Sequence, residues 1–353
     1  MTKKLTKMIE ELLLLQEISL RINSKLNLHE LLELIMSLVK DKLNVEACSL
    51  MLLDSNKKEL SFEVALGDKG EEIKRYTIKV GEGIAGKVAE SKKPIISNNV
   101  AKNPLFEPKF DYLTSFKTKS LICVPIICQD EIIGVIEIIN KKNSEKFSKS
   151  DLRLLQAIAN QSAIAIKNAL LYQELKDLFF DTIGSLASAI DAKDPYTHGH
   201  SKRVSEISVL IGKELGFSEE FLEKIRLAGL LHDIGKIGIE DRILSKKDKL
   251  TTEEYEIIKK HPSIGRKILE PIDLLKDIIP GIEEHHEKYD GSGYPKGLRG
   301  YKISLLGRII AVADAFDALT SQRPYRDKCD IDTAIMEINN LSGRHFDPKI
   351  VWA

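Results

Sequence analysis

No glycine or proline interrupts residues 149–183, and Leu152, Leu155, Ala159, Ser162, Ile166 and Ala169 recur there at a 3-4 spacing. That pattern predicts one continuous helix, extending over about 148–192. Ser148 with Asp151 three residues on offers its start, a weaker relative of the capping box. The spacing suits a coiled-coil seam, and equally a helix laid on its own domain's sheet. Whatever this chain folds into is therefore built on the two sides of a long helix. The length of 353 residues allows one domain on each side, at about 100–200 residues per domain.

The two sides differ in pattern. Residues 5–43 have helical periodicity in Leu12, Leu15, Ile18, Ile22 and Leu26, continued by Leu28 to Val39. Strand-like runs follow at Ala47–Leu53, Glu59–Leu66 and Ile73–Val80, separated by Asp54-Ser55-Asn56 and Gly67-Asp68. Gly81-Glu82-Gly83 leads into a short helix at Ile84–Ser91, and Pro94-Ile95-Ile96 is a short extended piece. Two apolar strands, Ser120–Cys128 and Glu131–Asn140, meet at Gln129-Asp130. This is α+β order, flanking helices around a mostly antiparallel sheet. After residue 192 the pattern is helical throughout. Thr251 with Glu254 forms a capping box for a helix ending before Pro262, and residues 305–320 are an Ala-rich helix.

Histidine follows the same divide. Of the eight histidines only His29 precedes residue 197; His198, His200, His232, His261, His285, His286 and His345 follow it. The sharpest local signal is His232-Asp233-Ile234-Gly235-Lys236. An adjacent His-Asp pair offers one neutral nitrogen and a carboxylate able to bridge two metals. Asp314 stands in an otherwise apolar run, Ala311-Val312-Ala313, where a carboxylate is costly without a partner. His285 and His286 point about 100° apart on a regular helix. Both reach one metal only if the helix ends there, and Asp290-Gly291-Ser292-Gly293 is a plausible terminator. With His200 and His261 the set is seven N/O donors, enough for two metals. Histidine and aspartate without thiolate suit Fe, Mn, Zn, Co or Ni and do not choose among them. His198 is read as an outer group or exposed, and His345 as structural.

Composition removes other classes. With 53 basic and 53 acidic side chains the formal charge is zero, which argues against a broad DNA-binding surface. Cys48, Cys123, Cys128 and Cys329 are scattered and form no CxxC, so a reduced, cytoplasmic protein is expected. The opening MTKKLTKMIEELLLLQEISL has no small-residue cleavage site and reads as no signal peptide. No stretch approaches 18 apolar residues, so no membrane span is expected.

GEGIAGKVAESKKPIISNNV (81–100), SLICVPIICQDEIIGVIEIIN (120–140) and FSKSDLRLLQAIANQSAIAIKNA (147–169) resemble a GAF domain. The resemblance covers about residues 10–172 and implies a sensory or dimerising module. Asn140-Lys141, Phe147 and Asp151 partly match a cyclic-nucleotide motif of such domains, but Leu152 stands where that motif has Glu. No His or Cys–His pair is placed for haem or bilin, and the GAF ligand is unknown.

DPYTHGHSKRV (194–204), LLHDIGKIGI (230–239), KKHPSIG (259–265), HHEKYDGSGYPKGLRG (285–300) and IIAVADAFDALTSQRPYR (309–326) resemble an HD-GYP domain of the HD phosphohydrolase superfamily. The fold expected is then an α+β GAF sensor domain (1–172) joined by a long helix (148–192) to an all-α HD-GYP domain (178–353). The resemblance implies hydrolysis of cyclic di-GMP to pGpG, and in some cases on to GMP. It also implies two divalent metals, with iron ahead of manganese. One would take His200, His232, Asp233 and Asp314; the other would share Asp233 and add His261, His285 and His286. A third metal needs an acidic residue where Tyr196 stands, unless Asp194 or Asp317 substitutes. Lys236 is expected at the phosphate or leaving oxygen, and Tyr294, Asp317, Arg323 and Arg326 at the substrate. Gly291, Gly293 and Gly297 are expected to supply unusual backbone in the loop. Ser304, where the family often has Pro after Ile303, is expected to soften the next helix start. A homodimer through the GAF and connecting helices is expected, as is a diguanylate cyclase (GGDEF) contact through the Gly293-Tyr294-Pro295 loop. The competing readings are a weak cyclic di-GMP receptor and an HD phosphohydrolase for another nucleotide.

Overall fold

The computed structural model describes residues 27–54, 56–193, 199–246, 248–321 and 329–353, together with 16, 20–22 and 25. The chain divides into two compact units, Met1–Lys176 and Asp177–Ala353.

In the first unit α1 spans Leu28–Leu43. Asn27 caps it by accepting from the Glu30 N–H at 3.1 Å, and Leu31, Ile35, Met36 and Val39 bury one stripe. Six strands follow: β1 Val45–Asp54, β2 Glu59–Leu66, β3 Thr77–Lys79, β4 Ile95–Ser97, β5 Leu121–Cys128 and β6 Glu131–Lys141. They form one antiparallel sheet in the order β3-β2-β1-β6-β5-β4. The β5–β6 hairpin turns at Gln129 and Asp130, both at positive φ, as a two-residue hairpin turn of this hand requires.

Both sheet faces are covered, which is why β5 and β6 read as nearly continuous apolar runs and not as alternation. On one face Leu50, Ile122, Val124, Ile136 and Ile138 meet α1 and the first half of α3, the 45-residue helix Lys149–Lys193. On the other, Met51, Leu60, Phe62, Leu121 and Val135 meet α2, Gly83–Ser91. The Leu155, Ala159, Ser162, Ile166 and Ala169 stripe is buried within this unit, so that part of the seam packs on its own sheet. The strand expected over Ile73–Val80 is confined to Thr77–Lys79. Gly70–Ile73 is a helical turn instead, since Gly70 lies against the Ala65 carbonyl where a side chain has no room. Of the helix expected over 5–43, Leu12, Leu15, Ile18 and Leu26 lie outside the described residues.

The second unit is helical among the described residues. After α3 come α4 His200–Glu214, α5 Glu219–Leu231, a 3-10 turn Ile234–Gly238, α6 Thr252–Ile258 and α7 His261–Leu269. Then follow α8 Ile279–Glu284, α9 Leu305–Thr320, α10 Ile331–Asn340 and α11 Pro348–Trp352. The Thr251–Glu254 capping box is formed in both directions. Ser304 does not soften the start of α9: its side chain accepts from the Gly307 N–H at 3.1 Å and caps the helix. The core is Val204, Ile225, Ala228, Leu231, Ile282, Ile309 and Ile310, contributed by α4, α5, α8 and α9. No helix among the described residues is long and apolar enough to cross a membrane.

Candidate metal centre

Three histidines are set by one local device. His232 closes α5, His261 opens α7 after α6 ends, and His285 closes α8. Each ring donates its Nδ1–H to the carbonyl three residues earlier: His232 to Gly229 at 2.8 Å, His261 to Ile258 at 2.8 Å and His285 to Ile282 at 2.7 Å. A carbonyl can only accept, so in the neutral ring the proton sits on Nδ1 and Nε2 carries a lone pair. All three rings are buried and aim Nε2 inward. The Nε2 atoms of His261 and His285 face each other at 3.3 Å, where neither neutral ring can donate. The Nε2 of His232 is buried with no hydrogen-bond partner.

His200, the first residue of α4, is fixed differently. Its Nδ1 lies 2.7 Å from Asp317 Oδ2, while Nε2 points toward Asp314 Oδ1 at 3.3 Å. Arg203 Nη2 also donates to Asp317 Oδ2 at 3.0 Å, and Ser321 Oγ to Oδ1 at 3.2 Å. Asp317 is thereby buried behind His200 with its oxygens taken. Asp317 is thus placed to orient the His200 ring, a role beyond the substrate contact expected of it.

Asp233 stands between the two sets. Its Oδ1 is 3.2 Å from His261 Nε2, and its Oδ2 is 3.5 Å from His232 Nε2 and 3.9 Å from His200 Nε2. Lys236 Nζ lies 2.8 Å from Oδ2. Two metal-sized groups result, His200–His232–Asp314 and His261–His285–His286, with His232–Asp233–His285 linking them; ligand atoms within each lie within 4.8 Å of one another. Adjacent His285 and His286 both turn inward because α8 stops at Glu284, and their ring centroids are 4.1 Å apart.

The electrostatics suit a cation. Burial pulls the His232 and His285 imidazoles below their ordinary range, and takes His286 down to about 4, so these rings stay neutral. Burial opposes charge on Asp233 and Asp314 too. Lys236 and the histidines outweigh it at Asp233, and His200 outweighs it at Asp314, so both carboxyls are held well below the usual range. His200 differs: against burial, Asp314 and Asp317 raise it to about 10. The neutral imidazoles beside ionised carboxylates are a metal-ligating donor set, and the orphaned Nε2 of His232 fits a divalent ion.

The walls are held by groups that the sequence reading passed over. Asp191, near the end of α3, accepts from Ser201 Oγ at 2.7 Å and so holds the start of α4. Lys193, the last residue of α3, donates to the carbonyls of Ile237 at 2.9 Å and Ile239 at 2.7 Å, clasping the turn that carries Lys236. Gly235 in that turn sits so close to the His261 carbonyl that a Cβ would fall 1.8 Å from its oxygen. Glu287 accepts from the Lys296 and Leu298 N–H groups at 2.7 and 2.9 Å, which pins the Gly293-Tyr294-Pro295 loop. In that loop Gly291 and Gly297 have positive φ as expected, whereas Gly293 is needed for space: its Cβ would meet Lys288 N at 2.3 Å. Tyr294 lies over His286 with centroids 4.9 Å apart, and Lys259 Nζ is 5.5 Å from the Tyr294 ring. Asp194, Tyr196, His198, Arg323 and Arg326 lie outside the described residues. His345 is half-buried, and its carbonyl accepts from the Tyr289 N–H at 3.0 Å, away from the metal groups.

Residues 27–166 match the GAF domain family, and residues 184–350 match the HD domain family. The chain carries a GAF domain followed by an HD domain. Residues of this chain are 45% identical over 186 positions to a cyclic di-GMP phosphodiesterase of Thermotoga maritima, covering 52% of this chain and 50% of that protein. They are also similar to the cyclic di-GMP phosphodiesterase response regulator RpfG of Xanthomonas campestris pv. campestris, at 40% over 206 residues, 57% of this chain and 54% of the relative. A 3'3'-cGAMP-specific phosphodiesterase 3 of Vibrio cholerae is 40% identical over 191 residues, 54% of this chain and 42% of the relative. The chain thus spans about half the length of the curated relatives it matches.

Proposed function

We propose that this chain is a metal-dependent cyclic dinucleotide phosphodiesterase of the HD-GYP type, acting on cyclic di-GMP and regulated by its GAF domain. One observation carries the reading: Asp233 turns one oxygen toward His261 and the other toward His232, and both rings give their Nδ1 proton to a carbonyl, so that each neutral ring presents a bare Nε2. In the proposed assignment His200, His232, Asp233 and Asp314 hold one divalent metal, and Asp233, His261, His285 and His286 the other. Iron is the first choice and manganese the second, as histidine-carboxylate sites accept both. When bound, such ions lower the pKa of coordinated water and offset charge on phosphoryl oxygens.

The chain's own groups do the rest. Lys236 is half-buried beside Asp233, placed to hold its ammonium against a phosphate oxygen or to give a proton to the departing 3′-oxygen. Asp317 keeps the His200 Nδ1 proton in place, leaving Nε2 for ligation. Tyr294 forms an aromatic wall beside His286 for a base or sugar. Arg323 and Arg326 are proposed for the second phosphate and guanine edges, to which Arg binds bidentately. Water adds across one phosphodiester, leaving a 5′-phosphate and a 3′-hydroxyl on linear pGpG.

Regulation is proposed to run along α3. Its last residues, Asp191 and Lys193, brace the helix carrying His200 and the turn carrying Lys236. Exposed Ile164, Leu171, Leu175 and Leu178 continue a 3-4 spacing on the same helix, which supports a homodimer through α3. Cys48, Cys123 and Cys128 are free thiols, in keeping with a cytoplasmic setting. The relatives named for 3'3'-cGAMP favour a second reading, hydrolysis of that dinucleotide. Turnover of both dinucleotides by the anaerobically purified chain with Fe(II) or Mn(II) tests the proposal. Release of pGpG that stops on chelation is expected. Tight binding of cyclic di-GMP without turnover under any metal would overturn it in favour of a receptor.

A further inference from the structure

The first unit carries a half-buried carboxylate that nothing in the phosphodiester chemistry uses. Glu137 lies mid-way along β6, opposite Ser49 of β1 and Cys123 of β5. Its neighbours on the same sheet face are Val135 and Ile139, which belong to the apolar cluster under α2. An ionised carboxylate on such a face is costly without a partner. Among the described residues no hydrogen bond or ion pair engages it; burial, with Asp111 adding like-charge repulsion, lifts its carboxyl to about 7.

In front of Glu137 is a cavity of about 120 Å³. Phe62, Phe106, Phe110 and Phe116 wall it. Phe110 is held edge-on between Phe62 and Tyr76, with centroids 5.7 and 6.0 Å away, so the aromatic wall is preformed. A cavity of about 150 Å³ admits a benzene-sized molecule, so this one suits a single small ring or its equivalent. Its charged lining is one-sided. Asp68, Glu82, Glu107 and Asp111 join Glu137, and the lysine that lines it, Lys69, holds Glu72 at 2.7 Å. Asp111 is already satisfied by the Thr118 N–H and hydroxyl at 2.9 and 2.6 Å. Asp68 and Glu107 are exposed to water, which leaves Glu137 as the sheltered acceptor.

Aromatic faces attract cations, and an unpartnered carboxylate completes the recognition. An anion would meet only negative charge. Calcium or magnesium needs six or so oxygen ligands, and a transition metal would want the imidazoles that this lining lacks. We infer that this cavity binds a small organic cation, an amine or amidine on a flat apolar body, with Glu137 as its counter-ion. The inference is independent of the reading of the second unit.

The test is calorimetric titration of the full chain at pH 8 with benzylamine, benzamidine, benzyl alcohol and benzoate, probes of one shape and different charge. At least one of the two cations is expected to bind, with benzyl alcohol at least tenfold weaker and benzoate silent. Glu137→Gln should bring the cation down to the level of the alcohol, while Asp233→Ala should leave cation binding unchanged. No binding of either cation, equal binding of the alcohol or benzoate, or full retention in Glu137→Gln would overturn the inference. So would loss of binding in Asp233→Ala, since the cation would then sit in the metal centre. If the Gln variant fails to fold, the charge series on the wild-type chain decides the matter alone.

Discussion

Asp233 and Glu137 are both carboxylates withdrawn from water, one in each unit, and they meet opposite surroundings. Asp233 is ringed by Lys236, His232 and His261, which overcome burial and keep it ionised. Glu137 has an apolar sheet face, a wall of phenyl rings and a second acid nearby, and its charge is disfavoured. The same functional group is thus prepared for different guests. Around Asp233 the protein supplies several fixed donors, which suits metal ions that need many ligands. Around Glu137 it supplies one acceptor and aromatic surface, which suits an organic cation bringing its own apolar body. Stability is traded at both places: lone pairs and charge are left unmatched until a ligand arrives.

The contrast can be broken at each end. The largest effect is expected from Asp233→Ala, which removes the one carboxylate shared by both metal groups. Phosphodiesterase activity should fall on the order of 10³-fold or more as water activation is lost, with circular dichroism unchanged. Asp317→Asn keeps the shape but not the charge behind His200. Metal affinity should fall by about 10–100-fold, read by competition with a chelator, while the ligand set stays intact. Lys193→Ala removes the clasp on the Lys236 turn, and a loss of ~1 kcal/mol, about fivefold in turnover, is expected at unchanged metal content.

An effect on stability, with none expected on turnover, sharpens the other end. Folding raises the Glu137 carboxyl from 4.5 to about 7, so the folded state binds this proton more tightly than the unfolded chain. The contribution of this one group to stability should therefore decline as pH rises from about 4.5 to about 7 and level off above, the reverse of an ion-paired acid and of the neutral histidines of the metal centre. The difference between Glu137→Gln and the wild type isolates it. At pH 8 the variant should exceed the wild type by on the order of 1–3 kcal/mol in denaturant unfolding, with near equality at pH 4. A difference that does not open over that window would mean that Glu137 has a partner.

Much of the metal centre was legible in the sequence because its chemistry is carried by rare residues in short blocks. His232-Asp233 and His285-His286 stand out, and Asp314 is conspicuous among Ala and Val. The helix over 149–183 was equally plain, from the absence of glycine and proline. The supporting groups were not. Lys193 and Asp191 are ordinary charges at a helix end until the fold brings Ile239 and Ser201 to them. Asp317 was expected at the substrate, and only the packing of α4 against α9 reveals that it also faces His200. Glu137 had a signal that went unread: one carboxylate inside the apolar run Ile132 to Ile139. A strand buried on both faces hides periodicity, so that lone acid could not be assigned to core or solvent without the sheet. The short β3 was overdrawn because Ile73, β-like by type, ends the helical turn that Gly70 starts, and Val80 lies just past the strand.

The account rests most heavily on the two histidine groups joined by Asp233 being a hydrolytic centre for a cyclic dinucleotide. The direct measurement is a time course of cyclic di-GMP with the anaerobically purified full chain, with bound metal quantified on the same sample. Two divalent metals per chain and conversion to linear pGpG, lost on chelation and restored by Fe(II) or Mn(II), are the predicted result. A metal-loaded chain that leaves both cyclic di-GMP and 3'3'-cGAMP uncut would contradict it.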